Sequence, residues 1–130
     1  MAIFLRLLRA RRNTSGPVTA MSTEEASVFL QGLRSKGHFA VFQLPETKAF
    51  VQAMRTSAGG LHIEVSQPAP PIEALMKSAG PVSRSELGFL VVESGAGDDT
   101  ACGAIIARAL EMLAQAAGCE NVCRVRTGAQ

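Results

Sequence analysis

Tryptophan and tyrosine are absent, and the whole aromatic content is six phenylalanines in 130 residues. With so few large rings, the 47% hydrophobic content rests mainly on Ala, Val and Leu. The core is expected to be thin, with a partner or second subunit helping to cover it. Histidine is nearly missing too. His38 and His62 are the only two, and neither has another ligand at a familiar metal spacing, whereas zinc needs about four convergent N, S or O donors. The three cysteines, Cys102, Cys119 and Cys123, cannot all pair within one chain, which argues against a secreted disulfide framework and for a reducing, cytoplasmic setting. Cys119 and Cys123 are separated by three residues, unlike thioredoxin-like pairs and common zinc knuckles, and read as a helix-end and a strand cysteine. No apolar run reaches the roughly 18 to 20 residues that span a bilayer, so stable membrane insertion is not expected.

A dominant sign of charge is also missing. Thirteen basic against eleven acidic residues leave +2, too little for a general phosphate-binding surface, so nucleic acid is not favoured as a partner. The excess sits at the start: Arg6, Arg9, Arg11 and Arg12 all precede the first acidic residue, Glu24. From Met21 onward nine basic and eleven acidic residues remain. Residues 1–20 therefore form a separate block, expected to be a basic, flexible N-terminal extension, and residues 21–130 a single domain. The interleaved apolar and Arg positions of the block fit an organelle-targeting peptide or a membrane-surface helix, while the plainer alternative makes Met21 the natural start. The arginines follow the apolar stretch, which is the wrong order for a secretory signal.

What is present is a run of alternating segments. Ser22 and Glu25 have the spacing of a capping box, and Ala26, Phe29, Leu30 and Leu33 repeat as one helical stripe, with Gly37 placed to end the helix in a left-handed cap. Three short apolar segments follow, His38 to Leu44, Lys48 to Met54 and Leu61 to Ser66, separated by turn residues at Pro45 to Thr47 and Ser57 to Gly60. They read as an antiparallel meander. Leu61, Ile63 and Val65 alternate with His62, Glu64 and Ser66, so that strand is half exposed. In the first strand Ala40, Phe42 and Leu44 share one face while Phe39 and Val41 share the other. Either helices cover both faces of that strand or one face meets a partner.

Pro71 suits the first turn of a short helix through Ile72, Leu75, Met76 and Ala79, stopped by Gly80 and Pro81. Leu87 to Glu93 reads as a fourth strand, although Gly88 blurs its start. Asp98, Asp99 and Thr100 supply caps for a long helix with Cys102, Ile105, Ile106, Ala109, Met112, Leu113 and Ala116 inward and Gly118 closing it. Asn121 to Arg126 fits a final edge strand with Arg124 and Arg126 exposed. The fold class is therefore α+β: an antiparallel sheet, built from a three-strand meander plus one or two further strands, flanked by an N-terminal helix, a short middle helix and a long C-terminal helix.

Residues that carry chemistry are few. His62 beside Glu64 reads first as the polar face of a strand, since a general base also needs a positioned reaction partner. A nucleophilic cysteine needs an activating base, and neither histidine is near one in sequence. Gly95 and Gly97 before a helix suggest a fragment of a phosphate loop, but Asp98 and Asp99 put negative charge where the anion would sit, and helix capping is the stronger reading. Ser83 and Ser85 belong to a polar loop, with no Ser-x-x-Lys or Gly-x-Ser-x-Gly pattern around them. Phe29, Phe50, Met54, Met76 and Met112 are expected in the core rather than around a cofactor, although soft Met side chains suit an adaptable binding surface. No catalytic, cofactor-binding or metal-binding residue is assigned, and no partner-binding residue is singled out.

The order of these elements, with Gly37-His-Phe-Ala-Val-Phe42, Ala49-Phe-Val-Gln-Ala53 and Gly59-Gly-Leu-His-Ile-Glu-Val-Ser66 in the meander, resembles the Tir-chaperone-like proteins, bacterial relatives of type III secretion chaperones. The resemblance covers about residues 22–126. It implies a non-enzymatic α+β domain, often dimeric, that binds another polypeptide through its sheet and helix surface. The expected function is thus polypeptide binding of a chaperone-like kind, without a cofactor, with an unidentified polypeptide as partner. Two alternatives come from other classes. One is a small ligand-binding or enzymatic domain whose cleft joins His38, His62, Glu64 and a cysteine; the other is an immunity-type inhibitor of a toxin.

Overall fold

The computed structural model describes residues 13–14 and 16–130. In chain order these form β1 (Asn13–Thr14), β2 (Val18–Thr19), α1 (Thr23–Gln31), β3 (His38–Gln43), β4 (Phe50–Arg55), β5 (Leu61–Val65), α2 (Pro70–Met76), β6 (Ser83–Arg84), β7 (Leu90–Glu93), α3 (Asp99–Ala117) and β8 (Val122–Ala129). The sheet is antiparallel throughout and runs β1-β8-β3-β4-β5-β7-β6, with β2 pairing further along β8. This is the α+β class expected, with the meander β3-β4-β5 at its centre.

Local chemistry accounts for most of the elements. Glu25 N–H donates to Ser22 Oγ at 3.0 Å and Ser22 N–H donates to Glu25 Oε1 at 2.9 Å, the reciprocal capping box that starts α1. The helix stops at Gly32, in right-handed conformation, five residues before the expected end at Gly37. The reason lies outside the helix: the Arg55 guanidinium accepts no bond but donates to Leu30 O at 2.8 Å and Leu33 O at 2.6 Å, supplying the partners that a left-handed cap would otherwise provide. Gly37 uses its positive φ of 86° to turn the chain into β3, and its N–H donates to Arg55 O. β4 begins at Phe50 rather than Lys48, whose φ of 62° places it in the preceding turn. Gly118, by contrast, is the expected left-handed terminator of α3, at φ 69°.

The core lies between the sheet and the helices. Ala40, Phe42, Val51, Ala53, Leu61, Ile63, Val65, Leu90, Val92, Cys123 and Val125 point to one side and are buried there. α1 packs on α3, α3 reaches β4 and β5, and Phe29 meets Phe42 edge to face at 5.8 Å. On α3 the inward stripe is Cys102, Ile105, Ile106, Ala109, Leu110, Leu113 and Ala114. Ala116, expected inward, is exposed, and Met112 is only half-buried. α1 is the main helix packed against α3, and α2 touches it less.

Three strands are too short to show a period in sequence. β6 arises within the segment read as a polar loop: Ser85 N–H donates to Phe89 O at 2.9 Å and Gly88 N–H to Ser85 O at 2.9 Å, which folds Ser83–Arg84 back on β7 and leaves Leu87 78% exposed at the turn. β1 and β2 fall inside the block expected to be a flexible extension to residue 20. They pair instead with the outer edge of β8, Asn13 opposite Thr127 and Val18 opposite Cys123, so the sheet begins before the expected domain boundary. The targeting-peptide and membrane-surface readings of residues 1–12 lie outside the described residues.

Candidate functional site

Because a strand alternates its side chains, the face opposite the core is read directly from the register. One row across the sheet is Gly128, Phe39, Met54, His62 and Glu93; the next is Arg126, Val41, Gln52, Glu64 and Val91; a third begins with Arg124, Gln43 and Phe50. All three helices pack on the other side. β3 is therefore apolar on both faces, as expected, and of the two arrangements open to it the helices cover only one. Phe39, Phe50, Met54, Phe89 and Val91 are half-buried on the uncovered face, and Val41 is buried at its middle. Phe50 and Met54, expected in the core, are here.

The aromatic side chains are held in place. Phe50 and Phe89 meet edge to face, with centroids 5.5 Å apart and planes at 89°. The Phe39 ring lies so close over Gly128 that a Cβ there would stand 2.7 Å from its Cζ, so the glycine gives the ring its seat on β8. Around this apolar middle the charge is divided. Arg124 and Arg126 stand exposed on β8, and among the described residues neither has an ion-pair partner. Across the face, Glu64 on β5 and Glu93 on β7 flank His62, each with a carboxylate oxygen 3.3 Å from one ring nitrogen.

The residues of the enzymatic alternative are not brought together. His62 and Glu64 lie on the open face, joined by Glu93, which the sequence did not single out. His38 shares the opposite face of β3 with Ala40 and Phe42. Cys102 and Cys123 are buried in the core beneath the helices, and Cys119 is half-buried at the end of α3. Among the described residues no group of three or more His, Cys, Asp or Glu is placed to hold a metal. Asp98 occupies the N-cap of α3 but its side chain makes no capping bond, and Asp99 turns away to Arg55. A cleft of about 290 Å³ between α2 and the end of α3, lined by Ala69, Ile72, Leu113 and Ala116, contains no titratable side chain.

Burial pushes the Cys123 thiol up to about 11, and the Glu25 charge adds to the rise. Burial also raises Cys102, against a hydrogen bond from Ser94. Both stay protonated at neutral pH, the unreactive form. A thiol that holds its proton more tightly in the folded chain binds more protons folded than unfolded between about pH 9 and 11, so stability is full below that window and lost as pH rises through it. Denaturant unfolding at pH 8 and at pH 11 should show a fall in stability larger in the native chain than in Cys123→Val by about 2 kcal/mol. An equal fall in both would remove Cys123 as the cause.

Arg55 is the residue that sequence reasoning passed over. Its side chain is 10% exposed and all five N–H groups are used: to Leu33 O, Leu30 O and Gly59 O, and as a two-pronged pair at 3.0 Å and 3.0 Å to the Asp99 carboxylate. It joins the end of α1, the β4–β5 turn and the start of α3. The signal was available, because Val51, Ala53 and Arg55 are in phase and an arginine on the buried phase of a strand demands partners.

Comparison of the chain with protein-family models, with curated proteins and with solved structures returns no match in any of the three.

Proposed function

We propose that this domain is a non-enzymatic, chaperone-like polypeptide-binding module that docks a segment of another protein on its open sheet face and keeps that partner soluble or transport-competent. The observation that carries the reading is β3, apolar on both faces with a helix layer on one alone. Phe39, Val41 and Met54 form one apolar patch across β3 and β4, and Phe50 with Phe89 and Val91 a second, with Gln52 between them, and a partner's hydrophobic side chains would fill both. Adding a strand is the less suitable mode, since β1 and β2 occupy the β8 edge and β6 lies along β7. An amphipathic segment laid across the strands uses the surface that remains. The resemblance of the element order to Tir-chaperone-like proteins points to the same class by analogy.

The test is to express the tagged full chain in its cell of origin, purify it gently and identify co-purifying polypeptides by mass spectrometry, beside two variants. Met54→Glu puts a charge in the middle of the open face; Val28→Glu puts one on α1, where Val28 is already 67% exposed. The expected result is one dominant, near-stoichiometric polypeptide with the native chain and Val28→Glu, lost with Met54→Glu while circular dichroism stays native. Retention of the same polypeptide by a folded Met54→Glu, or recovery of the chain alone, overturns the reading.

A further inference from the structure

The division of charge on the open face is self-complementary. Arg124 and Arg126 lie on β8, Glu64 and Glu93 two and three strands beyond the other side of β3, and β4 is the middle strand of the five long ones. Two open faces stacked about 10 Å apart with their strands nearly aligned can be related by two different two-fold axes. With the axis across the strands, β8 lies over β8, and Arg124 and Arg126 face their own images while the carboxylates face theirs. With the axis along the strands, β4 lies over β4 and β8 over β7, so Arg126 falls between Glu64 and Glu93 of the second copy. Like charges repel in the first arrangement, and opposite charges meet, each pair twice, in the second.

We propose that without its partner segment the chain forms a homodimer by stacking this face on the same face of a second copy, about an axis parallel to the strands. The proposal rests on the open face being the docking surface of the function above, and it adds a form of regulation: the second copy occupies the face until a partner segment displaces it. The central contacts suit this use. Met54 meets the middle of its own image with an adaptable thioether, and the half-buried Phe39 and Phe50 lose their remaining water. Five strands about 4.8 Å apart and roughly 17 Å long present a face on the order of 400 Å² in projection, at the low end of specific interfaces. Such a dimer exchanges with monomer, as displacement by a partner requires. Its affinity falls with added salt, because the charged pairs sit at the rim.

The experiment is sedimentation equilibrium on the full chain, on Arg126→Glu, on Glu93→Lys and on an equimolar mixture of the two. Both side chains are exposed, so neither change should disturb the fold. The native chain should dimerise, and each variant alone should dimerise about tenfold or more weakly, because each brings like charges together twice. The mixture should recover the native affinity as a heterodimer: Glu at 126 then faces Lys at 93, and Arg126 faces Glu93. That recovery also shows that both variants are folded. A native chain that stays monomeric at about 100 μM, a dimer indifferent to both substitutions, or a mixture no tighter than its components overturns the proposal. Failure here with loss of partner capture in Met54→Glu leaves the docking function standing, whereas a charge swap that works without any captured polypeptide leaves the face as a self-association surface alone.

Discussion

Arg55→Met should cost about 3 kcal/mol or more and lower the midpoint of thermal unfolding by well over ten degrees. The substitution keeps the aliphatic stem and removes five hydrogen bonds at once. Asp99 is left as a partly buried carboxylate without its counter-charge, and the carbonyls of Leu30, Leu33 and Gly59 each lose the bond from the guanidinium. Lysine is not a substitute, because a single ammonium cannot span a carboxylate and three carbonyls in the directions that the planar guanidinium does. Asp99→Asn should cost less than Arg55→Met, since the three bonds to backbone carbonyls survive. Differential scanning calorimetry of the three variants checks the order, and equal losses in Arg55→Met and Asp99→Asn would reduce the node to a simple ion pair.

Gly60→Ala is expected to be of similar size for a different reason. A Cβ at that position would stand 2.0 Å from Ser94 O and 3.0 Å from Ser94 C, and backbone cannot move aside as a flexible side chain does. The same stretch holds β5 to β7, where Leu61 N–H donates to Ser94 Oγ at 3.1 Å and Ser94 N–H donates to Leu61 O at 2.9 Å. Admitting one methyl therefore forces the two strands apart where they are joined, at about 3 kcal/mol or more. Gly95→Ala is the control. Its Cβ would find nothing nearer than Asp98 Oδ2 at 3.7 Å, an ordinary contact, and its effect should stay under about 1 kcal/mol. Urea unfolding of both variants settles the contrast, and a Gly60→Ala as stable as Gly95→Ala would mean that the two strands have room to separate there.

The legible part of the fold was the part written in local patterns. Ser22 and Glu25 carry the start of α1 in their spacing, Leu61 to Val65 show their period of two, and Gly118 marks the end of α3. The two-sided apolar pattern of β3 was visible as well. What escaped was decided by residues far apart in the chain. The end of α1 depends on an arginine 25 residues beyond Leu30, so no window around Gly32 or Gly37 contains the answer. β1, β2 and β6 are two residues each and exist through their partners, not through a pattern of their own. Glu93 joins His62 across two strands, and the division of charge on the open face emerges once β8 is set beside β3 and β7 beside β5.

That placement of β8 also bears on how the chain folds as it is synthesised. Its pairs with β3 join residues roughly eighty to ninety positions apart, the kind of long-range closure that slows folding. The meander can assemble as soon as it emerges, yet one edge of β3 then waits, with Phe39, Val41 and Phe42 beside unpaired N–H and C=O groups, until β8 has been made. During that interval a nascent chain presents an apolar strand edge of the kind that recruits other strands. A domain proposed to shelter another polypeptide thus passes through a stage in which its own first long strand needs shelter.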